Sequence, residues 1–203
     1  MSDAISEMRR FIAELGAIAY ARFLTDTAGG NISARVGDVI LMTPRYAGSR
    51  YLWRLQPEQI LVLDLDGHKQ EGVGEVSREY RVHCRLLTEF YPEGTAVFHG
   101  HARNALVFCA TGQPIPPVLY ATEKFGLIEH VADAPAHTAE LAENIAKAMQ
   151  GQRERLRKQA AAVLAPKHGL FVLGRDLEAA FDAAERIEGN AYCVLMMQLL
   201  TKR

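Results

Sequence analysis

Short apolar runs of strand length, set among helically periodic segments without regular strand–helix alternation, constrain this chain more than any other feature. The runs occupy residues 32–36, 39–42, 60–65, 95–101, 161–164 and 170–173. The Asp66-Gly67 pair closes the third of them as a turn. A doubly wound parallel sheet would need a helix after nearly every strand. This order instead predicts a layered α/β domain whose sheet is mixed or antiparallel.

The helical segments are marked by apolar residues at steps of three and four. Residues 5–24 carry Ile5, Met8, Phe11, Ile12, Leu15, Ile18 and Ala19 on one stripe, which predicts an amphipathic helix on the core. Residues 77–91 repeat the pattern through Tyr80, Cys84, Leu87 and Tyr91, with Ser77 as N-cap and Pro92 and Gly94 as the stop. Further helices are expected over 102–110, closed by Gly112, and over 138–149 and 177–200. The run GQPIPPVLY is extended because residues before proline avoid helical angles. TDTAGGN is a loop needing unusual backbone angles, and TPRYAGSRYLWRLQPEQ is a connection too long for a simple hairpin.

A length of 203 residues suits a single domain over 1–203. The formal net charge of -1 provides no general field for nucleic acid or an anionic membrane, so neither is an expected partner. The basic cluster at 153–158 has interleaved acidic charge and reads as a solvated helix face. Cys84, Cys109 and Cys193 are distant from one another and flanked by apolar residues, which predicts buried reduced thiols. The N-terminal segment lacks the apolar core of a secretory signal, and no run is long enough to span a bilayer; a cytoplasmic protein is expected.

The segment FHGHARNALVF carries the sharpest chemistry. On a strand, His99 and His101 project from one face, with Gly100 adding no bulk between them. Neutral imidazole ligates zinc and other first-row divalent metals. An HxH pair alone fits a metal site, and it fits two surface or hydrogen-bonded histidines as well. A third ligand is best sought in His168, at a tight bend between two apolar strands. His68 reads as an exposed turn residue, and nothing in the spacing singles out His130 or His137. Three histidines would leave an open position for water or substrate, with Glu79 to complete the shell. Glu79 also suits a helix's first turn without any chemical role, and its pairing with His83 four residues on would be structural or supporting.

Taken in order, TAGGNISAR (27–35), LMTP (41–44), SREYRVH (77–83), AVFHGH (96–101), IPPVLY (115–120) and KHGLFVLGRDLEAAF (167–181) resemble the class II aldolase/adducin family along nearly the whole chain. The resemblance implies a three-layer α/β/α domain with a central mixed, mainly antiparallel sheet. It also implies a cyclic homotetramer with sites between subunits. His99, His101 and His168 would hold Zn2+ or another divalent ion such as Mn2+ or Co2+. Glu79 would be both ligand and proton carrier, and Tyr120 the proton donor to a neighbouring subunit's site. Gly30, Asn31, Thr43 and Ser77 would fall in the substrate- or phosphate-binding loops. The implied activity is an aldolase-type lyase cleaving a carbon–carbon bond of a small anionic ketose or keto acid through a metal-held enediolate.

Two departures bear on the substrate. Where many family aldolases have a compact phosphate loop, this chain reads MTPRYAGSRYLWRL, with Arg45 and Arg50. Arg78 stands where phosphate-binding relatives often carry a second hydroxyl residue before the glutamate. Arginines bind phosphate or carboxylate in a bidentate fork, so an anionic substrate remains the expectation; salt bridges at a subunit interface are the alternative for Arg45 and Arg50. A decarboxylase on the same scaffold is a rival reading. A non-catalytic domain like the adducin head is another, although such relatives have lost the metal-binding residues retained here.

Overall fold

The strand-length runs pair into one seven-stranded sheet, and every pairing between its strands is antiparallel. The computed structural model describes residues 2–201. In chain order the elements are α1 (Ser2–Ala21), β1 (Asn31–Val36), β2 (Val39–Met42), β3 (Leu61–Leu63), β4 (Lys69–Glu71), α2 (Tyr80–Glu89), β5 (Ala96–Gly100) and α3 (Arg103–Thr111). They continue as α4 (Ala139–Gln150), α5 (Arg153–Lys158), β6 (Ala160–Ala165), β7 (Gly169–Gly174) and α6 (Leu177–Leu200). The sheet runs β4-β3-β2-β1-β5-β7-β6. Where the sequence allowed a mixed sheet, the only parallel pairing among the described residues is the isolated bridge between His130 and Leu164.

Both faces of the sheet are covered, which explains why its strands read as continuous apolar runs. On one face Ile32, Phe98, Ala162 and Val172 belong to a core with α1, α3 and α6, through Ile12, Phe108 and Ile187. On the other, Met42, Val97, Val163 and Phe171 join Leu86 and Leu87 of α2, Ile145 of α4 and Leu156 of α5. Successive residues of one strand serve opposite cores, as the two-residue period of a strand requires. Each large side chain so enclosed contributes about 1.5–3 kcal/mol.

Several boundaries differ from expectation for physical reasons. The helix expected over 5–24 ends at Ala21, because Phe23 takes a left-handed φ of 60° and the chain closes in a Schellman pattern. Leu24 N donates to Ala19 O (2.9 Å) and Phe23 N to Tyr20 O (3.2 Å). The helix expected from Ser77 starts at Tyr80, since residues 77–79 form a turn closed by Tyr80 N to Ser77 O at 3.1 Å. Strand β4 has three exposed polar residues and no apolar alternation to betray it. Cys84 and Cys109 are buried free thiols as expected, whereas Cys193 is only half-buried. No helix among the described residues is long and apolar enough to cross a membrane.

Candidate functional site

The register of the central strands assembles the site. Asn31, the first residue of β1, pairs with His99 in β5, and His99 pairs in turn with Phe171 in β7. His101 lies one residue beyond β5. His168 sits in the turn between β6 and β7, where Lys167 adopts a φ of 55° and donates its N–H to Cys109 O at 2.9 Å. One ligand nitrogen from each of His99, His101 and His168 lies within 4.8 Å of the others, so the three can address one ion. The His99 ring is further fixed by stacking on Phe171, with centroids 4.0 Å apart.

Hydrogen bonds orient two of these rings. His99 Nδ1 is 3.1 Å from Leu170 O, and His101 Nδ1 is 3.1 Å from Asp26 Oδ1. Each acceptor takes the hydrogen of Nδ1 and leaves the Nε2 lone pair available for a ligand. Asp26 is itself held, because Oδ1 accepts from Ala28 N (2.8 Å) and Gly29 N (2.9 Å), and its carbonyl accepts from Trp53 Nε1 (2.9 Å). Burial first, then the neighbouring His168 and His101, pushes His99 well below the ordinary imidazole range. Burial likewise lowers His168, against the opposing pull of Glu79. Both rings are thereby kept in the neutral form that a metal ion requires.

Glu79 stands at the N-terminal boundary of α2 and its side chain is 3% exposed. Its Oε1 accepts a hydrogen bond from His137 Nδ1. Its Oε2 has no hydrogen-bond partner among the described residues and lies 3.9 Å from His168 Nε2. A buried carboxylate oxygen left unpaired is costly, and a cation beside the triad would relieve it. Three imidazole nitrogens and one carboxylate oxygen form a donor set that suits a divalent first-row ion. His83, which the helical spacing could pair with Glu79, instead bonds Ser33 and Asn31.

A cavity of about 900 Å³ opens over this cluster. Of the residues assigned to substrate from the sequence, Gly30, Asn31, Arg45, Ser77 and Arg78 line it. Gly30 has a φ of 101°, and a side chain there would stand 3.1 Å from His99 O, so only glycine fits so close to the triad. Thr43 is not among the lining residues: it is fully buried, and its hydroxyl accepts from Ile32 N at 3.1 Å. Arg45 lines the cavity while paired with Glu75 of the same chain at 3.1 Å. Arg50 lies over the Tyr46 ring and does not line the cavity. Tyr120 is 91% exposed and lies outside the cavity of its own chain. Sequence spacing passed over Asp26 and His137. Both act through contacts that span 58 or more residues, and no local pattern records them.

Fold and site together define a three-layer α/β/α domain with a histidine-rich cavity at one end of its central strands. Residues 10–195 match the Class II Aldolase and Adducin N-terminal domain, and the chain belongs to that family. It is 34% identical over 167 residues to a 5-methylthioribulose-1-phosphate/5-deoxyribulose-1-phosphate aldolase of Rhodospirillum rubrum, covering 81% of this chain and 70% of that relative. A 3-oxo-tetronate 4-phosphate decarboxylase of Cupriavidus necator is 32% identical over 138 residues, covering 65% and 60% respectively. The fold is similar to that of an L-fuculose 1-phosphate aldolase, with a TM-score of 0.82 at 25% identity over 96% of this chain and 87% of the other.

Proposed function

We propose that the chain is a divalent-metal-dependent lyase that cleaves a carbon–carbon bond of a small ketose 1-phosphate by retro-aldol chemistry. The observation that carries this reading is Glu79 Oε2, a buried and unpaired carboxylate oxygen beside three histidines at the floor of a cavity. His99, His101, His168 and Glu79 would hold the ion, and their nitrogen-rich set favours zinc over magnesium or calcium. When bound, the ion supplies the Lewis acidity that accommodates negative charge on the ketose oxygens.

The protein's own residues account for the remaining steps. Asp26 and Leu170 O hold two imidazoles in one orientation. Asn31, Ser77 and Arg78 line the cavity and present donors for hydroxyl and phosphate oxygens. In the cleavage direction a base removes the proton of the C4 hydroxyl, the C3–C4 bond breaks, and its electron pair passes toward the C2 carbonyl. The aldehyde leaves, and a proton is delivered to C3. Glu79 is suited to carry a proton at Oε2. Tyr120 is suited to exchange one with the aldehyde oxygen of a neighbouring copy, in a tetramer whose sites lie between subunits.

The R. rubrum relative makes 5-deoxyribulose 1-phosphate and methylthioribulose 1-phosphate the first substrates to test. Metal-loaded protein should release dihydroxyacetone phosphate from one of them, read by a coupled reduction, and His99→Ala should abolish the release. Loaded protein with no turnover on any ketose 1-phosphate would remove the proposal. A second reading rests on Arg45 and Arg78 in the cavity, which suit a carboxylate as well as a phosphate, and on the decarboxylase relative. Carbon dioxide release from a phosphorylated β-keto acid, without an aldehyde, selects it.

A further inference from the structure

His137 occupies a backbone conformation that side chains avoid. Its φ is 69°, in the left-handed region where glycine is at ease and a Cβ is crowded. It directly precedes Thr138, which caps α4 by accepting from Leu141 N (3.2 Å) and ties back to Pro135 O (2.7 Å). The position is therefore fixed by the helix start behind it, and glycine would fill it with less strain. Strain of this kind persists where the side chain has work to do.

The side chain lines the cavity, and Nδ1 donates to Glu79 Oε1 across 58 residues of sequence. Glu79 is otherwise enclosed, and its second oxygen has no partner among the described residues. A carboxylate gripped at one oxygen cannot rotate freely about its last bond, so the other oxygen keeps one direction. That oxygen, Oε2, lies on the side of His168. We infer that His137 is a positioning residue for Glu79, which takes Oε1 so that Oε2 is held toward the histidine triad. The inference rests on the reading of Glu79 as part of a metal centre, and it is independent of the substrate.

The test exploits the backbone. His137→Gly removes the imidazole and relieves the strained φ, so the variant should fold with an unchanged or raised melting temperature. Divalent zinc affinity of metal-free protein, measured by chelator competition without substrate, should fall about 10-fold or more, in line with other residues that support a ligand. In a Glu79→Gln background the same substitution should cause no further loss, because its effect passes through that carboxylate. His137→Asn, whose amide can donate and which tolerates the left-handed region, should recover part of the affinity. Unchanged affinity in His137→Gly, or an equal loss in both backgrounds, overturns the inference. If the affinity pattern holds while no ketose phosphate is cleaved, the proposed activity fails and the positioning role of His137 stands.

Discussion

His83 Nε2 lies 2.7 Å from Asn31 Oδ1, joining α2 to the first residue of β1 inside the protein. An amide oxygen only accepts, so Nε2 carries the hydrogen, and Nδ1 accepts from Ser33 Oγ at 2.6 Å. The other end of the amide, Asn31 Nδ2, donates to Ser77 Oγ at 3.0 Å, and Ser77 Oγ also accepts from Glu79 N at 3.3 Å. With two donors pointed at it, the Ser77 hydroxyl has its own hydrogen left to offer the cavity. A buried imidazole thus sets the direction of two cavity-lining groups.

This arrangement has a pH signature. Burial pushes His83 down to about 3 from the ordinary 6.5. Below pH 6.5 the unfolded chain takes up a proton that the native His83 refuses. The stabilising contribution is therefore complete above pH 6.5 and is lost as pH falls toward 3. Between pH 7 and pH 5 the loss from this one group is about 2 kcal/mol. Urea unfolding of metal-free protein at the two pH values should show it, and His83→Gln should reduce the drop by that amount. An equal drop in protein and variant would contradict the assignment.

Asp26 predicts a second effect, on the ion rather than on the fold. Its Oδ1 fixes the ring of His101 and two backbone N–H groups of the glycine loop. Asp26→Asn keeps the size of the side chain but removes the charge that favours the Nδ1–H form of the imidazole. Metal affinity should fall about 10–100-fold, as for other carboxylates behind a ligating histidine. Titration of metal-free variant with zinc against a chelator measures it, and an affinity equal to that of the parent would rule the role out.

The cationic side chains of the cavity make a third prediction. Arg78 is exposed in the cavity and has no ion-pair partner among the described residues, while Arg45 is shared with Glu75. A charge-assisted hydrogen bond to phosphate is worth roughly 1.5–3 kcal/mol, or about 10–100-fold in binding. Arg78→Gln should therefore raise KM for a ketose 1-phosphate by that factor with a smaller change in kcat. Arg45→Gln should raise it less, because the charge of Arg45 is already partly taken up by Glu75. Steady-state kinetics with the same ketose lacking its phosphate supplies the control, which neither substitution should affect.

Much of the architecture was legible because burial on both faces writes itself as apolar runs, and α6 and β2 fall where their patterns place them. The histidine cluster was legible from the ordered motifs around His99, His101 and His168. What escaped was set by contacts distant in sequence. Strand β4 owes its existence to pairing with β3, since Lys69, Gln70 and Glu71 have no strand pattern of their own. Thr43 looked like a substrate residue because its hydroxyl follows a strand in a family motif, yet the sheet turns that hydroxyl onto Ile32 N. His137 carried no signal because an isolated histidine before a helix has no characteristic spacing, and a left-handed φ is invisible in the residue's identity.

Tyr120 makes the last prediction because of where it is not. It begins a short 3-10 segment over Tyr120–Phe125, stands almost wholly in solvent and is absent from the cavity of its own chain. A proton donor so placed can act only on the site of another copy. Tyr120→Phe should lower kcat about 10²–10⁴-fold, the range for loss of a general acid or base, with metal affinity unchanged. His99→Ala should be inactive through loss of a ligand. If the two groups of one working site come from different subunits, mixing the two variants by unfolding and refolding together creates sites with an intact triad from one chain and an intact tyrosine from the other. Activity should then appear in the mixture of two inactive proteins. A mixture as inactive as its components would place the proton donor elsewhere and leave Tyr120 as surface.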